Sequence, residues 1–376
     1  MISKLKDCCT IIAGQSPESK YYNTDRIGLP FFQGKADFGD LYPKIRVYCS
    51  QPKKIAEKND ILLSVRAPVG PTNLAPCQVC IGRGLTAIRP SENLLTRYVL
   101  LFFRYFEAQL VSKGTGTTFK AITQNVIKNL EIPIPPLPEQ ERIVARIEAL
   151  FSQLDAGVEM LKTTKAQLAV YRQAVLKEAF EKVPTRVSLG SISESRLGKM
   201  LDKVKNVGEP RQYLRNINVR WFGFDLFDLL EMRIGNEEIE KYSISKGDLV
   251  ICEGGEPGRC AVWQKDESIF YQKALHRVRF LDGSNPRFYM YYLWYAAQTG
   301  QLKPFFTGTG IKHLTGQSLI KLPVPKTTPD MQNKTVSEIE SRLSVCDSIE
   351  QTVDTALQQA ESMRQSIMKQ AFEGRL

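Results

Sequence analysis

The chain has 376 residues, of which 43% are hydrophobic and 24% are charged, and its formal net charge is +11 at pH 7. This composition excludes a disordered or collagen-like chain and predicts a globular protein of two or three domains. The excess of positive charge favours a polyanion as the partner.

Cellular location is predicted from three features. The first residues, Met-Ile-Ser-Lys-Leu-Lys-Asp, lack the apolar segment of a signal peptide, and the longest uncharged apolar stretch, 288–302, is too short and too polar to span a bilayer. Eight cysteines in a chain of this length do not form a disulfide scaffold. We therefore expect a cytoplasmic protein that has no membrane segment.

The first 138 residues mix short β-rich runs such as 61–65 with frequent glycine and proline. They also contain one aromatic-rich helical segment, 94–110. Residues 184–328 repeat this pattern, with a β-rich run at 248–252 and an aromatic helical segment at 286–302. Each region predicts an α+β globule.

A long helix follows each globule, over 139–183 and 329–376. Proline and acidic residues open each helix at 138–141 and 328–330. Apolar residues recur every seven positions, as expected for a coiled-coil seam: Leu154, Leu161, Leu168 and Val175 in the first helix, and Cys346, Val353, Ala360 and Ile367 in the second, with Ile349, Ala356 and Met363 as the intervening positions. The first helix, of about 45 residues, would reach about 65 Å.

The sequence contains an internal repeat, in which each copy takes about half of the chain. Residues 172–181 recur at 364–373 with an offset of 192 positions, and the Ile-Pro-Ile-Pro run at 132–135 matches Leu-Pro-Val-Pro at 322–325. Gly-Thr-Gly occurs at 114–116 and again at 308–310. Each helix would expose its apolar stripe if it were isolated, so the duplicate helix is the natural partner. Antiparallel pairing is favoured because it needs little backtracking of the chain; the competing interpretation is two ordinary helices packed onto separate cores.

The positive charge belongs to the globules. Residues 1–140 carry a net charge of +7 and residues 184–329 carry +6, whereas the helical segments 141–183 and 330–376 carry +1 and −3. Two basic modules held at a fixed spacing suit a duplex with two contact sites along its axis.

Catalytic patterns are not found. The two histidines, His276 and His313, have no metal-ligand spacing, and neither a phosphate-binding Gly-rich loop nor the Asn/Asp-Pro-Pro-Tyr/Phe motif of amino-methyltransferases is present. Cys77 and Cys80 have the spacing of half a zinc site, with no second pair to complete it. The sequence therefore predicts a recognition protein without a metal or an active site of its own.

The order of these features resembles the specificity (S) subunit of type I restriction-modification systems, over essentially the whole chain. The resemblance is carried by Ile-Pro-Ile-Pro-Pro-Leu-Pro-Glu-Gln-Glu-Arg-Ile at 132–143, by Lys-Gly-Asp-Leu-Val at 246–250, by the two Gly-Thr-Gly runs, by 213–219 and by the Ala-Phe-Glu helix ends. The second copy departs from the pattern at 326–332, where Lys-Thr-Thr-Pro-Asp-Met-Gln replaces the Pro-Leu-Pro-Glu-Gln-Glu run.

The resemblance implies an α+β architecture of two target-recognition domains, 1–138 and 184–328, alternating with a central helix, 139–183, and a C-terminal helix, 329–376, that pair as an antiparallel coiled coil. It also implies that each domain reads one half of an asymmetric double-stranded DNA target and that the helices act as a ruler. Modification (methyltransferase) subunits would bring S-adenosylmethionine for adenine methylation, and restriction (helicase-nuclease) subunits would use ATP and Mg. This chain would hold no cofactor and would catalyse nothing by itself.

Base reading needs side chains with forked hydrogen-bonding groups, such as Arg or Lys for guanine and Asn or Gln for adenine. We selected candidates in Gly-rich or turn-like segments. In the first globule they are Gln33, Lys35, Arg66, Arg83, Thr115, Thr117 and Lys120. In the second globule they are Arg215, Asn216, Asn218, Arg220, Arg259, Lys273, Lys312 and His313. Because Arg83 corresponds to Lys273, and 119–120 to 312–313, two different half-sites are expected.

Two other interpretations stay open at this point. In the first, the chain is a non-catalytic scaffold whose basic globules bind RNA or acidic partners. In the second, it is a self-sufficient enzyme with an unrecognised site. Binding assays that compare duplex DNA with structured RNA, and incubation of the lone chain with DNA, S-adenosylmethionine and ATP, separate these interpretations.

Overall fold

A computed structural model describes residues 2–113, 121–202 and 206–376. The chain divides into two compact units: Met1–Lys162 with Asp354–Leu376 form the first, and Thr163–Val353 form the second. Both units mix sheet and helix, which confirms the predicted α+β class.

The described residues contain short helices and two very long ones. The α-helices are α1 (Leu5–Cys8), α2 (Thr96–Ser112), α3 (Gln124–Lys128), α4 (Leu137–Glu181), α5 (Ile239–Tyr242), α6 (Pro286–Gln298), α7 (Gly316–Ile320) and α8 (Pro329–Phe372). Single 3-10 turns lie at Ser19–Tyr21, Lys35–Asp37, Leu189–Ser191, Asn216–Asn218, Asn236–Glu238 and Lys303–Phe305. None of these described helices combines the length and hydrophobicity that crossing a bilayer requires.

Three sheets form the first unit. The strands are β1 (Ile2–Lys4), β2 (Cys9–Ala13), β3 (Tyr22–Asn23), β4 (Leu29–Phe32), β5 (Tyr48–Cys49), β6 (Ile55–Ala56), β7 (Ile61–Ser64), β8 (Thr72–Leu74), β9 (Val79–Ile81), β10 (Leu85–Pro90) and β11 (Glu131–Pro133). They are ordered β3-β5-β4-β9-β6, β2-β10-β7-β8 and β1-β11. Strands β4 and β9 are parallel, with Phe31 opposite Cys80, whereas the other pairs are antiparallel.

The second unit repeats this design. Its strands are β12 (Arg186–Ser188), β13 (Ser193–Leu197), β14 (Glu209–Leu214), β15 (Val219–Arg220), β16 (Gly223–Phe224), β17 (Leu230–Ile234), β18 (Ser243–Ile244), β19 (Leu249–Cys252), β20 (Cys260–Val262), β21 (Ile269–Tyr271), β22 (Leu275–Phe280) and β23 (Pro323–Pro325). They are ordered β13-β22-β19-β20, β17-β14-β21-β18, β12-β23 and β15-β16. Here β14 and β21 form the parallel pair, with Tyr213 opposite Phe270.

The duplication read from the sequence extends to individual ion pairs in the two cores. Asp60 at the start of β7 accepts two hydrogen bonds from Arg89, both 2.8 Å long. Asp248 at the start of β19 accepts the same two bonds from Arg279, at 2.8 and 2.7 Å. Both aspartates are buried. The predicted strands at 61–65 and 248–252 are confirmed as β7 and β19, each one residue shorter than predicted. The repeat in the sequence is therefore also a repeat of structure.

The aromatic helices were predicted with small errors at their ends. Helix α2 is shifted by two residues from the predicted 94–110, and α6 ends at Gln298 rather than at 302. The early end has a local cause, since Gly300 has a φ of +76° and donates its N–H to the carbonyl of Ala297. A glycine in this left-handed conformation is a common helix C-terminal signal.

The long helices pair in antiparallel fashion, as predicted. In the first unit, Phe372 near the end of α8 packs on Tyr98 with ring centroids 5.3 Å apart, and the early part of α4 shares the same hydrophobic cluster. In the second unit, Phe180 near the end of α4 packs on Phe288 at 5.3 Å, and the early part of α8 joins that cluster. Each core therefore receives the end of one helix and the beginning of the other.

The seam of the helix pair corrects one detail of the prediction. Cys346, Val353 and Ala360 are buried as expected, but Ile349 and Met363 are 40% and 54% exposed, so they are not the intervening seam residues. At two of these places the position one residue later, Glu350 or Arg364, holds a charged side chain that pairs with the other helix. Glu350 pairs with Arg172 at 2.7 Å in the second unit, and Arg364 pairs with Asp155 in the first. An apolar heptad search misses them because ion pairs replace leucines there.

Candidate nucleic-acid interface

The carboxyl ends of the parallel strands bring candidate residues together in the first unit. Gln33 follows β4 directly, and Arg83 lies two residues after β9. The N–H of Gly82 donates to the carbonyl of Phe32 at 2.8 Å, which joins the two strand ends. Because parallel strands end at the same edge of a sheet, Gln33 and Arg83 lie in neighbouring loops although they are fifty residues apart in the sequence.

A glycine makes this close approach possible. A Cβ atom at Gly84 would lie only 2.2 Å from the carbonyl oxygen of Gln33, so no larger residue fits there without moving the backbone. The carbonyl of Gly84 in turn accepts a hydrogen bond from the N–H of Val65 at 3.0 Å. Arg66 is thereby placed beside the loop that carries Arg83.

Four candidate residues line one cavity of about 760 Å³, which we call the first reader surface: Gln33, Lys35, Arg66 and Arg83, together with Gly34, Ala36, Ser64, Ala67, Pro68 and Gly84. All four candidate side chains are exposed, and the lining contains no carboxylate. Among the described residues, no Asp or Glu oxygen lies within 4 Å of the charged groups of Lys35, Arg66 or Arg83. The surface is therefore a concave cationic site with one amide.

The segment after α2 reaches this surface at Ala121, which pairs with Arg66 in an antiparallel bridge. The N–H of the next residue, Ile122, donates to the carbonyl of Val65 at 3.0 Å. The candidates Thr115, Thr117 and Lys120 lie outside the described residues.

The second unit builds its candidate site at the corresponding edge. Arg215 follows β14 and Lys273 lies two residues after β21, and the N–H of Gln272 donates to the carbonyl of Leu214 at 3.1 Å. Arg215 thus stands where Gln33 stands in the first unit, and Lys273 stands where Arg83 does. Lys273 is exposed, whereas the Arg215 side chain is only 20% exposed.

Further candidates surround the loop at Gly254. The side-chain amide of Asn216 donates to the carbonyl of Gly254 at 2.8 Å, and Arg259 donates to the carbonyl of Asn216 at 3.0 Å. A Cβ atom at Gly254 would lie 2.9 Å from Nδ1 of His313, so the imidazole covers this glycine closely. We call Arg215, Asn216, Arg220, Arg259, Lys273 and His313, with the carboxylates described next, the second reader surface.

Carboxylates of the same unit hold the arginines of the second reader surface. Arg215 bonds Asp228 at 2.6 Å, Arg259 bonds Glu256 at 2.8 Å, and Arg220 lies 3.5 Å from Asp225. These three acids were missed in the sequence because nothing in their spacing distinguishes them from surface charges. Their positions follow from the hairpin β15–β16 and the loop after β19.

Some buried polar atoms of this cluster have no hydrogen-bond partner among the described residues. They are Nε of Arg215, Oδ1 of Asn216 and Nε of Arg259. Most buried polar atoms in proteins are hydrogen-bonded, so these three atoms call for a partner from outside the chain, such as water or a ligand. Unpaired atoms of the same kind also occur outside this cluster, for example at Arg196, Arg277 and Arg287.

Asn218 corrects the prediction of a base-contacting residue at that position. Its side chain is buried, and its amide donates to the carbonyls of Asp225 at 2.9 Å and Asp228 at 3.2 Å while its oxygen accepts from the N–H of Arg215 at 2.9 Å. All of its bonding groups are used within the chain, so Asn218 holds the loop in place. Lys312 is exposed, and its ammonium donates to the carbonyl of Gly308 at 2.7 Å.

Two further residues with reactive side chains, His276 and Cys80, are embedded in the cores. His276 is buried, with Nε2 at 2.9 Å from the carbonyl of Leu314, and burial lowers its pKa. Cys80 is buried, and burial raises the pKa of its thiol to about 11. Within the described part of the chain, no three His, Cys, Asp or Glu side chains are grouped so that they could hold a metal ion.

Each of the two α+β units has a candidate surface at the end of its parallel strands and contains one end of α4 and the opposite end of α8. This repetition is typical of a duplicated recognition protein. Comparison with known proteins specifies the class. Residues 1–168 match the family described as the type I restriction modification DNA specificity domain. The chain is 23% identical to the type I restriction enzyme EcoKI specificity subunit of Escherichia coli, over 91% of this chain and 80% of that protein.

A proposed MjaX specificity subunit of Methanocaldococcus jannaschii is 39% identical over 167 residues, which are 44% of this chain and 38% of that relative. In structure, a chain of a type I R-M system solved for its complex assembly and conformational transition matches with a TM-score of 0.80 at 17% identity, covering 100% of this chain and 98% of that one. The HsdS subunit of Thermoanaerobacter tengcongensis matches with a TM-score of 0.66 at 17% identity, covering 100% and 97%. The family match over residues 1–168, the similarity to specificity subunits along most of the chain and the shared fold together confirm the resemblance to specificity subunits of type I restriction-modification systems seen in the sequence.

Proposed function

We propose that this chain recognises the DNA target sequence of its restriction-modification system, with each reader surface contacting one half of a bipartite target. The observation that carries the proposal is the first reader surface, a cavity lined by Lys35, Arg66 and Arg83 without any carboxylate. The second unit places Arg215 and Lys273 at the corresponding strand ends.

The side chains suit a duplex. Arginine guanidinium groups form forked hydrogen bonds with guanine, and a glutamine amide does so with adenine. Unpaired lysine and arginine side chains also neutralise phosphates, and such contacts make up half or more of protein–DNA hydrogen bonds. Because the two reader surfaces differ at equivalent positions, Gln33 against Arg215 and Arg83 against Lys273, the target has two dissimilar halves.

The reaction chemistry resides on other subunits in this proposal. The long helices of this chain set the spacing of the half-sites and dock modification subunits, which supply S-adenosylmethionine and the methyl-transfer site. Restriction subunits then join and use ATP and Mg. The names of the relatives, all specificity subunits of type I restriction enzymes, support this division of labour.

The test uses a host that expresses this chain with the modification and restriction subunits of its own system. Sequencing of methylated adenines in the host genome should reveal one asymmetric, interrupted target. Arg83→Ala should relax the sequence requirement in one half only. Lys58→Ala is the matched control, since Lys58 is an exposed cation before β7, at the opposite strand end from Arg66.

Three results would contradict the proposal. They are relaxation of both halves by Arg83→Ala, stronger binding of the purified chain to structured RNA than to duplex DNA, and methylation of DNA by the lone chain.

A further inference from the structure

One aromatic side chain of the second unit is almost wholly in water. Phe227 is 99% exposed, the largest fraction of any large hydrophobic residue in the described ranges. Exposure of a phenylalanine is unfavourable because its apolar surface gains free energy when it leaves water. An exposed ring of this size therefore raises the question of which partner covers it.

The loop that carries Phe227 is firmly held. The N–H of Phe227 donates to Oδ1 of Asp225 at 3.3 Å, and the N–H of Asp225 donates to the carbonyl of Asn218 at 2.8 Å. On either side of Phe227, Leu226 and Leu229 pack against the core cluster that contains Trp263. With its neighbours anchored inward, the ring is presented outward.

The same loop is joined to the second reader surface. Arg215 donates to the backbone carbonyl of Asp228 at 2.7 Å as well as to its carboxylate, and Arg220 lies beside Asp225. In the loop, Phe227 thus lies between Asp225 and Asp228, which pair with two of the three arginines of the second reader surface, Arg220 and Arg215. The arginines held by this loop are residues that we propose as DNA contacts.

We propose that Phe227 is an apolar wedge that enters the base stack of the DNA beside the half-site bound by the second unit. This inference rests on the proposed function and deepens it. Proteins that deform DNA insert phenylalanine or leucine between base steps and bend the duplex. A ring held at the tip of an anchored loop and flanked by hydrogen-bonding side chains has the chemistry of such a wedge.

The experiment uses the chain assembled with its modification subunits and a duplex that carries the methylome-defined target, labelled at both ends for energy transfer. We expect the wild-type complex to bend this duplex. Phe227→Ala should lower the affinity about 10- to 100-fold and abolish the bend. Phe227→Leu should keep most of the bend, because leucine also acts as a wedge.

The control is Leu281→Ala. Leu281 is 72% exposed in the same unit, but it follows β22 at the strand end opposite Lys273, so this variant should bind and bend DNA like the wild type. The Phe227 side chain makes few contacts with the chain, so Phe227→Ala should melt at the wild-type temperature, which a thermal scan verifies.

The outcomes separate two failures. If the wild-type complex shows no sequence-specific DNA binding, the proposed function itself fails. If the wild type binds but Phe227→Ala binds and bends DNA equally well, only the wedge is overturned. Loss of the modification subunits from the Phe227→Ala complex would assign the ring to a protein interface, and loss of the bend in Phe227→Leu would replace the wedge by aromatic stacking.

Discussion

The two reader surfaces occupy the same edge of the same fold, yet their electrostatics are opposite in kind. In the first unit, Lys35, Arg66 and Arg83 line a cavity without any acid. In the second unit, Arg215 and Arg259 are bonded to Asp228 and Glu256 of their own loops. A duplicated backbone has therefore been kept while the charge pairing of its binding edge has changed.

Under the proposed function, this difference predicts that the two surfaces contribute differently to DNA binding. Unpaired cations release counterions when they meet phosphates, so the first unit should supply most of the salt-dependent affinity. To bind a base or a phosphate, the arginines of the second unit must give up their ion pairs with carboxylates of the same unit. Because breaking these pairs costs free energy, we expect binding there to depend more on the correct base sequence. Carboxylates also accept a hydrogen bond from cytosine, so Asp228 and Glu256 have the chemistry of base contacts themselves.

The largest expected effect is the loss of DNA affinity when two arginines of the first reader surface are removed. Arg66→Ala combined with Arg83→Ala should weaken binding to the full target by about 2–6 kcal/mol if both arginines contact bases, at about 1–3 kcal/mol each. If both contact phosphates instead, the slope of log affinity against log salt should fall by about 1.8, at about 0.9 for each contact. Titration of labelled duplex at several salt concentrations measures both quantities.

The control for this double variant is Lys58→Ala, which removes an exposed cation away from the cavity and should leave affinity and salt slope nearly unchanged. If the double variant bound DNA like this control, the first unit would not supply most of the salt-dependent affinity. The predicted difference between the units would be supported if removal of Arg215 and Arg220 changed the salt slope less than removal of Arg66 and Arg83.

The sequence was sufficient for the architecture because duplication, long heptad patterns and buried strands each leave a local pattern. Four of the predicted DNA contacts, Gln33, Lys35, Arg66 and Arg83, line one cavity, and their contact with DNA stays a prediction. The sequence did not show that Gln33 and Arg83 adjoin, because this depends on β4 and β9 being parallel neighbours. Strand adjacency over fifty residues has no signal in a single sequence.

Two residues show where residue type misleads. Asn218 has the amide of an adenine reader, but the hairpin after it turns the side chain inward, where Asp225 and Asp228 occupy its donor group. Phe227 has the residue type of a core position but is exposed, because Leu226 and Leu229 on either side of it already fill the inward positions. Burial depends on tertiary packing, which hydrophobicity alone does not specify.

A smaller effect is expected from releasing one arginine of the second reader. Asp228→Asn removes the charge that holds Arg215 and keeps the backbone carbonyl that also accepts from it. Affinity for DNA of random sequence should rise about 3- to 10-fold, and the salt slope should steepen by about 0.9 for one new phosphate contact. Discrimination at the second half-site should fall, which competition between target and random duplex measures.

The matched control is Asp266→Asn. Asp266 pairs with Lys246 at 2.7 Å and is 85% exposed, and neither residue belongs to the second reader surface. This variant changes net charge by the same amount, so an equal gain in affinity would show that only overall charge matters. A gain confined to Asp228→Asn would show that the internal carboxylate restrains the arginine.

The smallest effect concerns how the long helices are held in each unit. Glu178 on α4 accepts hydrogen bonds from Lys182 at 2.7 Å and from Arg342 on α8 at 2.8 Å. These bonds lower the pKa of Glu178 from its ordinary 4.5 to about 2. At the repeat offset of 192, the first unit has Gln370 in place of Glu178. A carboxylate tie at this position therefore belongs to the second unit, whereas the helices of the first unit are joined by Asp155 and Arg364.

Because the folded-state pKa is depressed, the stabilisation by Glu178 is fully present above about pH 4.5 and disappears as the pH falls through about 2. In wild-type protein, hydrogen exchange of residues 171–181 should therefore speed up over this window relative to exchange near Gln370. Glu178→Gln should already exchange faster at neutral pH and should vary less with acidification. Glu159→Gln, which removes a carboxylate paired with Lys162 on the same helix, should keep the wild-type pH profile at 171–181. An equal response near Gln370 in wild-type protein would show that acid loosens both helix ends alike, and the difference between the units would then be confined to their reader surfaces.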